Sequence, residues 1–319
     1  MNRGDAARVM TVAICTHGEA PHLAEALTSA ACQDLPADLR MEILCVDNNP
    51  VPKVGLPDSL AHRARVVHEP RPGLSRARNA AIAHAAGDIL AFLDDDAVAA
   101  PGWAAAMAAD LARTGAWCLG GRVLPRWPDE EPTWLDPRLR DLLSIVDLGD
   151  EVRSLRGPVF PCGANLAIRR SAFEQVGLFR PELGRRPGSL LSGEEIDLFR
   201  RVLRAGGKVA YTPHAIVHHI IPASRLTPTF LRRRAWWEGK TLALLDRLHR
   251  GWAYALAMAI ARAGLAVVRE PVAWALARRA GRPPELAICR AQKALGYWAG
   301  LFAPTREFQG QTGACPRGS

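Results

Sequence analysis

Three consecutive aspartates, Asp94, Asp95 and Asp96, follow Asp88 to Leu93, an apolar run that reads as a strand. Carboxylates this close repel one another unless a cation neutralises them. The triplet therefore points to a divalent ion, magnesium or manganese, held through oxygen with one side left for substrate phosphates. Taken alone, a triplet of this kind is more often a solvated acidic turn, here capping a helix that starts near Pro101. A second acidic run, Glu194, Glu195 and Asp197, opens a predicted helix, where acids complement the helix dipole. His214, His218 and His219 form the only histidine cluster, and in an extended segment His218 and His219 point to opposite faces. Two common phosphate loops are absent. The first strand is followed by THGEAP, with no GxGxxG. Arg234 stands where a Walker A loop before Gly239, Lys240 and Thr241 needs a glycine.

The elements that must carry these groups alternate. Val9 to Cys15 reads as a strand, Pro21 to Gln33 as a helix, Glu42 to Asp47 and Arg65 to Glu69 as strands, and Leu74 to Ala86 as a helix ended by Gly87. Such alternation predicts a parallel α/β sheet with its ligand beyond the carboxyl ends of the strands, which is where Thr16, Asp47 and the aspartate triplet fall.

The segment EPRPGLSRARNAAIAHAAGDILAFLDDDAVAAPGW, Glu69 to Trp103, resembles the family 2 glycosyltransferases, whose nucleotide-sugar domain has the GT-A fold. The likeness extends to TVAICTHGEAPHLAEAL (Thr11 to Leu27), LCVDNN (Leu44 to Asn49), CGANLAIRRSAFEQVGLF (Cys162 to Phe179), SGEEIDLFRRVLRAGG (Ser192 to Gly207) and PHAIVHHIIPASRLT (Pro213 to Thr227). Several motifs in the expected order, over roughly the first 230 residues, are far more specific than any one of them.

The resemblance implies roles. Thr16 and Asp47 would hold the nucleoside, although His17 and Gly18 stand where family members often carry tyrosine and asparagine. Arg76, Arg78 and Asn79 would face the diphosphate, Arg78 foremost. Asp94 and Asp96 would form the DxD pair around the ion, with Asp95 between them, and His219 falls where a histidine next to the metal or diphosphate is common. Glu195 takes the place of the base that deprotonates the acceptor hydroxyl. Because the usual aspartate there is replaced by a longer residue, the role could fall on Glu194 or Asp197 instead. Cys162 to Asn165 resembles an acceptor-side GxN motif. The proline-rich stretch Pro125 to Pro161, with Trp127 and Trp134, reads as a mobile flap over the sugar.

The implied activity is inverting, metal-dependent transfer from a nucleotide-sugar donor to a saccharide or lipid-linked acceptor, in cell-surface polysaccharide or glycolipid synthesis. A noncatalytic nucleotide-sugar or carbohydrate-binding protein and a nucleotidyltransferase are the competing classes. The division expected is a GT-A catalytic domain over 1–221 (nucleotide-sugar part to about 123, acceptor part 124–221), a basic helical region over 222–303 and a flexible tail over 304–319.

The chain has 319 residues, 49% of them hydrophobic, enough to bury a substantial core and to exclude a disordered, collagenous or coiled-coil protein. Seven scattered cysteines without a CxxC pair, and no leader pattern in MNRGDAARVM, suit free thiols in the cytoplasm. The net charge of +9 is lopsided, with sixteen Arg and Lys against five Asp and Glu from Pro222 onward. Arg232, Arg233, Arg234, Arg247, Arg250, Arg278, Arg279 and Arg282, beside Trp236, Trp237, Trp252 and Trp298, suit helices lying on an anionic membrane. Packing of the tryptophans on the catalytic domain, with the arginines solvated, is the other reading. Arg262 in the middle of Gly251 to Val268 argues against a membrane span, and no nucleic-acid partner is expected. The chain would sit in the cytoplasm, peripheral at most on the inner face of the membrane.

Overall fold

Residues 8–157 and 159–303 are described by a computed structural model. Cys315 and the tail 304–319 lie outside the described residues. The chain begins β1 (Arg8–Thr16), α1 (Leu23–Ala31), β2 (Leu39–Asp47), β3 (Ala64–His68), α2 (Leu74–His84), β4 (Ile89–Asp94), β5 (Ala97–Ala99), α3 (Trp103–Thr114). It continues through β6 (Cys118–Arg126), a 3-10 turn at Pro137–Leu143, β7 (Arg153–Leu155), β8 (Asn165–Arg169), α4 (Arg170–Val176), α5 (Glu194–Arg204) and β9 (Val209–Ile220). Three helices follow: α6 (Pro228–Arg250), α7 (Trp252–Arg279) and α8 (Glu285–Leu301).

One sheet runs in the order β3-β2-β1-β4-β8-β6-β9-β5, with β7 on β9. The stretch β3-β2-β1-β4 is parallel, as the alternation predicts; beyond it the sheet is mixed, with β8 antiparallel to β4 and β6. β1 reads as a continuous apolar run because both its faces are covered. Met10, Val12 and Ile14 pack with α1 and α3 in one core, while Ala13 joins α2, α5 and Phe92 in the other. The six cysteines among the described residues are free thiols.

The helices after β9 close on the sheet domain. α6 is capped by the Thr227 hydroxyl, which accepts from the Phe230 amide, with Pro228 in its first turn. Its Leu231 and Ala235 pack with Leu139, Leu142 and Ile221, and its Leu244 and Leu245 pack with Leu183 and Leu191. α8 crosses α6 with the two backbones touching. A Cβ on Gly239 would lie 1.9 Å from the Lys293 carbonyl oxygen, and one on Gly296 would lie 1.9 Å from that of Trp236. Only glycine permits that approach. Arg232 pairs with Glu285 at 2.6 Å, Lys293 with Glu238, and Tyr297 donates to Asp246 at 2.9 Å.

This packing corrects much of the expected leaflet-facing surface. Trp236 and Trp237 meet edge to face under Lys240, Trp298 packs beside Tyr297, and Arg247 caps α8 through the carbonyls of Gly300 and Ala303. Trp127 and Trp134, placed over the sugar by the flap reading, instead pack on Leu135, Leu139 and Leu231, and that stretch is pinned by the 3-10 turn and β7. What remains outward is α7, which carries exposed Trp252, Ile260, Leu265, Val268, Val272, Trp274 and Leu276. By length and composition α7 could cross a membrane: its most apolar window has a mean hydropathy of 1.3 and is 11% buried. Arg262 does not interrupt the outward side, because its guanidinium sits 4.9 Å from the Tyr297 ring of α8.

Candidate active site

β1 and β4 are neighbours although β2 and β3 come between them in sequence, so the chain reverses direction across the sheet at this pair, where open α/β sheets hold ligands. Cys15 pairs with Asp94, which sets Thr16 beside Asp95; the Thr16 hydroxyl donates to Asp95 Oδ2 at 2.5 Å. A cavity of about 630 Å³ opens here. That is within the ~300–1,000 Å³ usual for small-molecule sites. Cys15, Thr16, His17 and Asn48, the aspartate triplet, and Glu194 and Glu195 all line it.

Ala97 pairs with His219 of β9, which brings that histidine against Asp96: Nε2 lies 3.3 Å from Oδ1, while Nδ1 lies 3.0 Å from the Leu143 carbonyl. Arg225 reaches Asp96 Oδ2 at 3.2 Å. Burial pushes the Asp96 carboxyl up, but the His219 hydrogen bond and the charges of His219, Arg225 and Arg185 outweigh it and hold it below the ordinary value. Asp95 goes the other way. Burial, opposed by the Thr16 hydrogen bond and reinforced by Asp96 and Asp94, pushes it up to about 6. Asp94 is also raised, chiefly by burial and against the pull of Arg78.

Arg78 links the aspartate triplet to the glutamate pair. α2 carries it inward, 1% exposed, with its guanidinium 5.7 and 5.6 Å from the rings of Phe92 and Phe179. Its Nη1 donates to Glu194 Oε1 at 2.9 Å and Glu195 Oε1 at 2.8 Å, and Nη2 lies 3.6 Å from Asp94 Oδ1. Burial, with Glu195 adding to it and Arg78 opposing it, pushes Glu194 up to about 8, and its Oε2 has no partner. Gly163 leaves room for the group: a Cβ there would lie 2.0 Å from Glu195 Oε1 and 2.2 Å from Arg78 Nη2.

Several expected site residues are placed elsewhere. Asp47 does not line the cavity; its oxygens accept from the Asn49 amide and side chain and from the amides of Lys53 and Val54, so its own loop takes up the carboxylate. Asn79 is clipped to both backbone groups of Phe179, and Arg76 lies off the cavity lining. Asp197 faces away from the cavity. Arg201 holds it at 2.8 Å and Arg180 at 3.4 Å, and His249 Nε2 lies 3.0 Å away. Asn165 accepts from Trp103 Nε1 and donates to the Arg122 and Ala215 carbonyls, which makes it a structural pin and not an acceptor contact. Arg78 itself is occupied by carboxylates where a diphosphate contact was expected.

Five arginines that motif reasoning did not assign to the site, Arg185, Arg186, Arg225, Arg233 and Arg234, line the cavity. Their signal is faint: runs of arginine at 185–186 and 232–234, which read as easily as solvated surface.

Among the described residues, no three His, Cys, Asp or Glu side chains converge as a closed metal cage. The residues nonetheless fit an ion that takes part of its shell from substrate. Asp94 and Asp96 both line the cavity and offer hard oxygen donors, with Asp95 between them.

The Glycosyl transferase family 2 signature matches residues 11–177. Succinoglycan biosynthesis protein ExoM of Rhizobium meliloti (strain 1021) is 30% identical over 257 residues, 77% of this chain and 79% of that one. The glucosyl-dolichyl phosphate glucuronosyltransferase of Haloferax volcanii is 25% identical over 181 residues, covering 56% of this chain and 57% of its own. In three dimensions, mannosyltransferase PcManGT from Pyrobaculum calidifontis, solved with GDP-Man and Mn2+, superposes with a TM-score of 0.56 at 20% identity over 94% of this chain and 88% of that one. This chain belongs to glycosyl transferase family 2, and its sheet with flanking helices is the GT-A architecture.

Proposed function

We propose that the protein transfers a sugar from a nucleoside-diphosphate donor to an acceptor hydroxyl by single displacement, with inversion at the anomeric carbon. The reading rests on one relationship above all: Glu195, held by Arg78 at 2.8 Å, lines the same cavity as Asp94 and Asp96. Thr16, His17 and Asn48 would border the nucleoside. Asp94 and Asp96 would hold a divalent ion, which when bound supplies Lewis-acid stabilisation to the departing diphosphate. Glu195 accepts the proton of the acceptor hydroxyl as its oxygen bonds to the anomeric carbon, and the sugar–phosphate C–O bond breaks with its electron pair on the nucleoside diphosphate. Arg78 orients that carboxylate and is a positioning residue. His219 and Arg225 fix Asp96 from behind.

The acceptor we propose is lipid-linked, in polysaccharide or glycolipid synthesis, with the outward apolar side of α7 seated in the membrane. The succinoglycan protein ExoM supports polysaccharide synthesis, the glucosyl-dolichyl phosphate enzyme supports a lipid-linked acceptor, and the exposed row from Ile260 to Leu276 supports the membrane seat. A screen of UDP-, GDP- and dTDP-sugars with manganese or magnesium tests the reading. Metal-dependent release of one nucleoside diphosphate is expected, and its loss in Asp96→Ala with the fold intact. Release that is unaffected by chelator and by Asp96→Ala contradicts the metal assignment.

A further inference from the structure

Two guanidinium groups that line the cavity, Arg185 from the loop before α5 and Arg234 from α6, make no direct ion pair among the described residues. Arg234 is 8% exposed yet lines the cavity. Its Nη2 donates to Ser192 Oγ at 2.7 Å, Nη1 reaches the Leu190 carbonyl at 3.5 Å, and Nε has no partner. Arg185 lines the same cavity, and its buried Nε is likewise unpartnered. Among the described residues no carboxylate lies within ion-pair distance of either, unlike Arg78, Arg225 and Arg232. The two cations repel one another, and burial followed by the Arg185 charge lowers the Arg234 pKa. A buried cation with an unmet N–H donor, placed beside a second cation, is unfavourable unless an anion joins them.

We infer that Arg185 and Arg234 form a phosphate-binding subsite, distinct from the carboxylates that would hold the metal. The planar guanidinium fork matches the oxygens of a phosphate, and two forks together can engage both non-bridging oxygens of a phosphate ester or the linked phosphates of a diphosphate. A carboxylate ligand would leave one fork unmet. Arg233 on the cavity rim adds attraction without a buried donor. Two sources can bring the phosphate: the diphosphate of the donor, or the phosphate that ties a lipid carrier to the acceptor sugar. Only this choice of source rests on the glycosyl-transfer reading; the subsite itself does not.

Calorimetry without turnover tests it. Arg185→Ala, Arg234→Ala and the milder Arg185→Lys and Arg234→Lys are titrated with farnesyl phosphate without metal, with UDP and GDP plus manganese, and with inorganic pyrophosphate. Farnesol is the uncharged control, and melting temperatures exclude unfolded variants. We expect each alanine variant to weaken at least one phosphate ligand by about 10- to 100-fold, the size of one or two charge-assisted hydrogen bonds, with the lysine variants intermediate and farnesol unaffected. Loss confined to farnesyl phosphate assigns the subsite to the acceptor; loss confined to the nucleoside diphosphates assigns it to the donor. Should an alanine variant fail to fold, the lysine variant at that position decides, with at least a 3-fold loss expected. Unchanged affinities throughout, or a wild-type protein that binds none of these phosphates at millimolar concentration, overturn the inference. A protein that transfers no sugar but binds farnesyl phosphate through both arginines contradicts the transfer reading and leaves the subsite standing.

Discussion

Arg78 and Glu195 meet at 2.8 Å across 117 residues of chain, α2 supplying the guanidinium and the first turn of α5 the carboxylate. The contact exists because Gly163, between them, has no side chain. An alanine there would put a methyl carbon 2.0 Å from Glu195 Oε1, and because Arg78 is fixed by Glu194 and two aromatic rings, the Glu195 carboxylate is the group that shifts. Gly163→Ala should therefore fold, bind nucleoside diphosphate within a few-fold of wild type and lose roughly 10-fold or more in kcat, as expected for a displaced catalytic group. Steady-state kinetics beside nucleotide titration reads both; a normal kcat would show that the close approach is unimportant.

Glu194 gives a pH signature. Its pKa in the folded protein is about 8, against 4.5 for an ordinary glutamate. Between those values the folded state keeps a proton that the unfolded chain has released, so stability falls as pH rises from about 4.5 to about 8 and is insensitive to this group outside that window. Glu194→Gln removes the titration. Relative to wild type, its melting temperature should rise steadily from pH 5 to pH 8. A constant difference across that range would mean that Glu194 ionises normally.

Much of the sheet was legible from periodicity. The runs at Val9–Cys15, Glu42–Asp47, Arg65–Glu69 and Asp88–Leu93 became β1 to β4 because parallel strands buried on both faces are apolar throughout. The motifs also located the aspartate triplet, Arg78 and Glu195 at one cavity. They did not reveal whose lone pairs were already taken. Asp47 looks like a nucleoside ligand in sequence, yet residues 49–54 fold back onto its carboxylate, and Asn79 is consumed by Phe179 in the same way. Arg234 read as a membrane arginine because its neighbours Arg232 and Arg233 share its composition. Only the docking of α6 turns it inward while Arg232 goes to Glu285.

The same docking leaves α7 as the surface we propose to face the membrane. Flotation with acidic liposomes should recover the protein at low salt and less of it as salt rises, since Arg269, Arg278 and Arg279 flank the apolar side. Replacing Leu265 and Val268 together by aspartate should abolish recovery while leaving soluble-donor hydrolysis intact, because both are exposed and far along α7 from the cavity lining. Equal flotation of wild type and variant would place the membrane contact elsewhere.

Glu195→Gln separates donor binding from removal of the acceptor proton, the role proposed for Glu195. The amide keeps the shape and an oxygen toward Arg78 but cannot accept a proton, so kcat should fall by on the order of 10²-fold or more with nucleoside-diphosphate affinity held within a few-fold. Turnover within a few-fold of wild type, at unchanged donor affinity, would contradict the assignment and move the role to another group at the cavity wall.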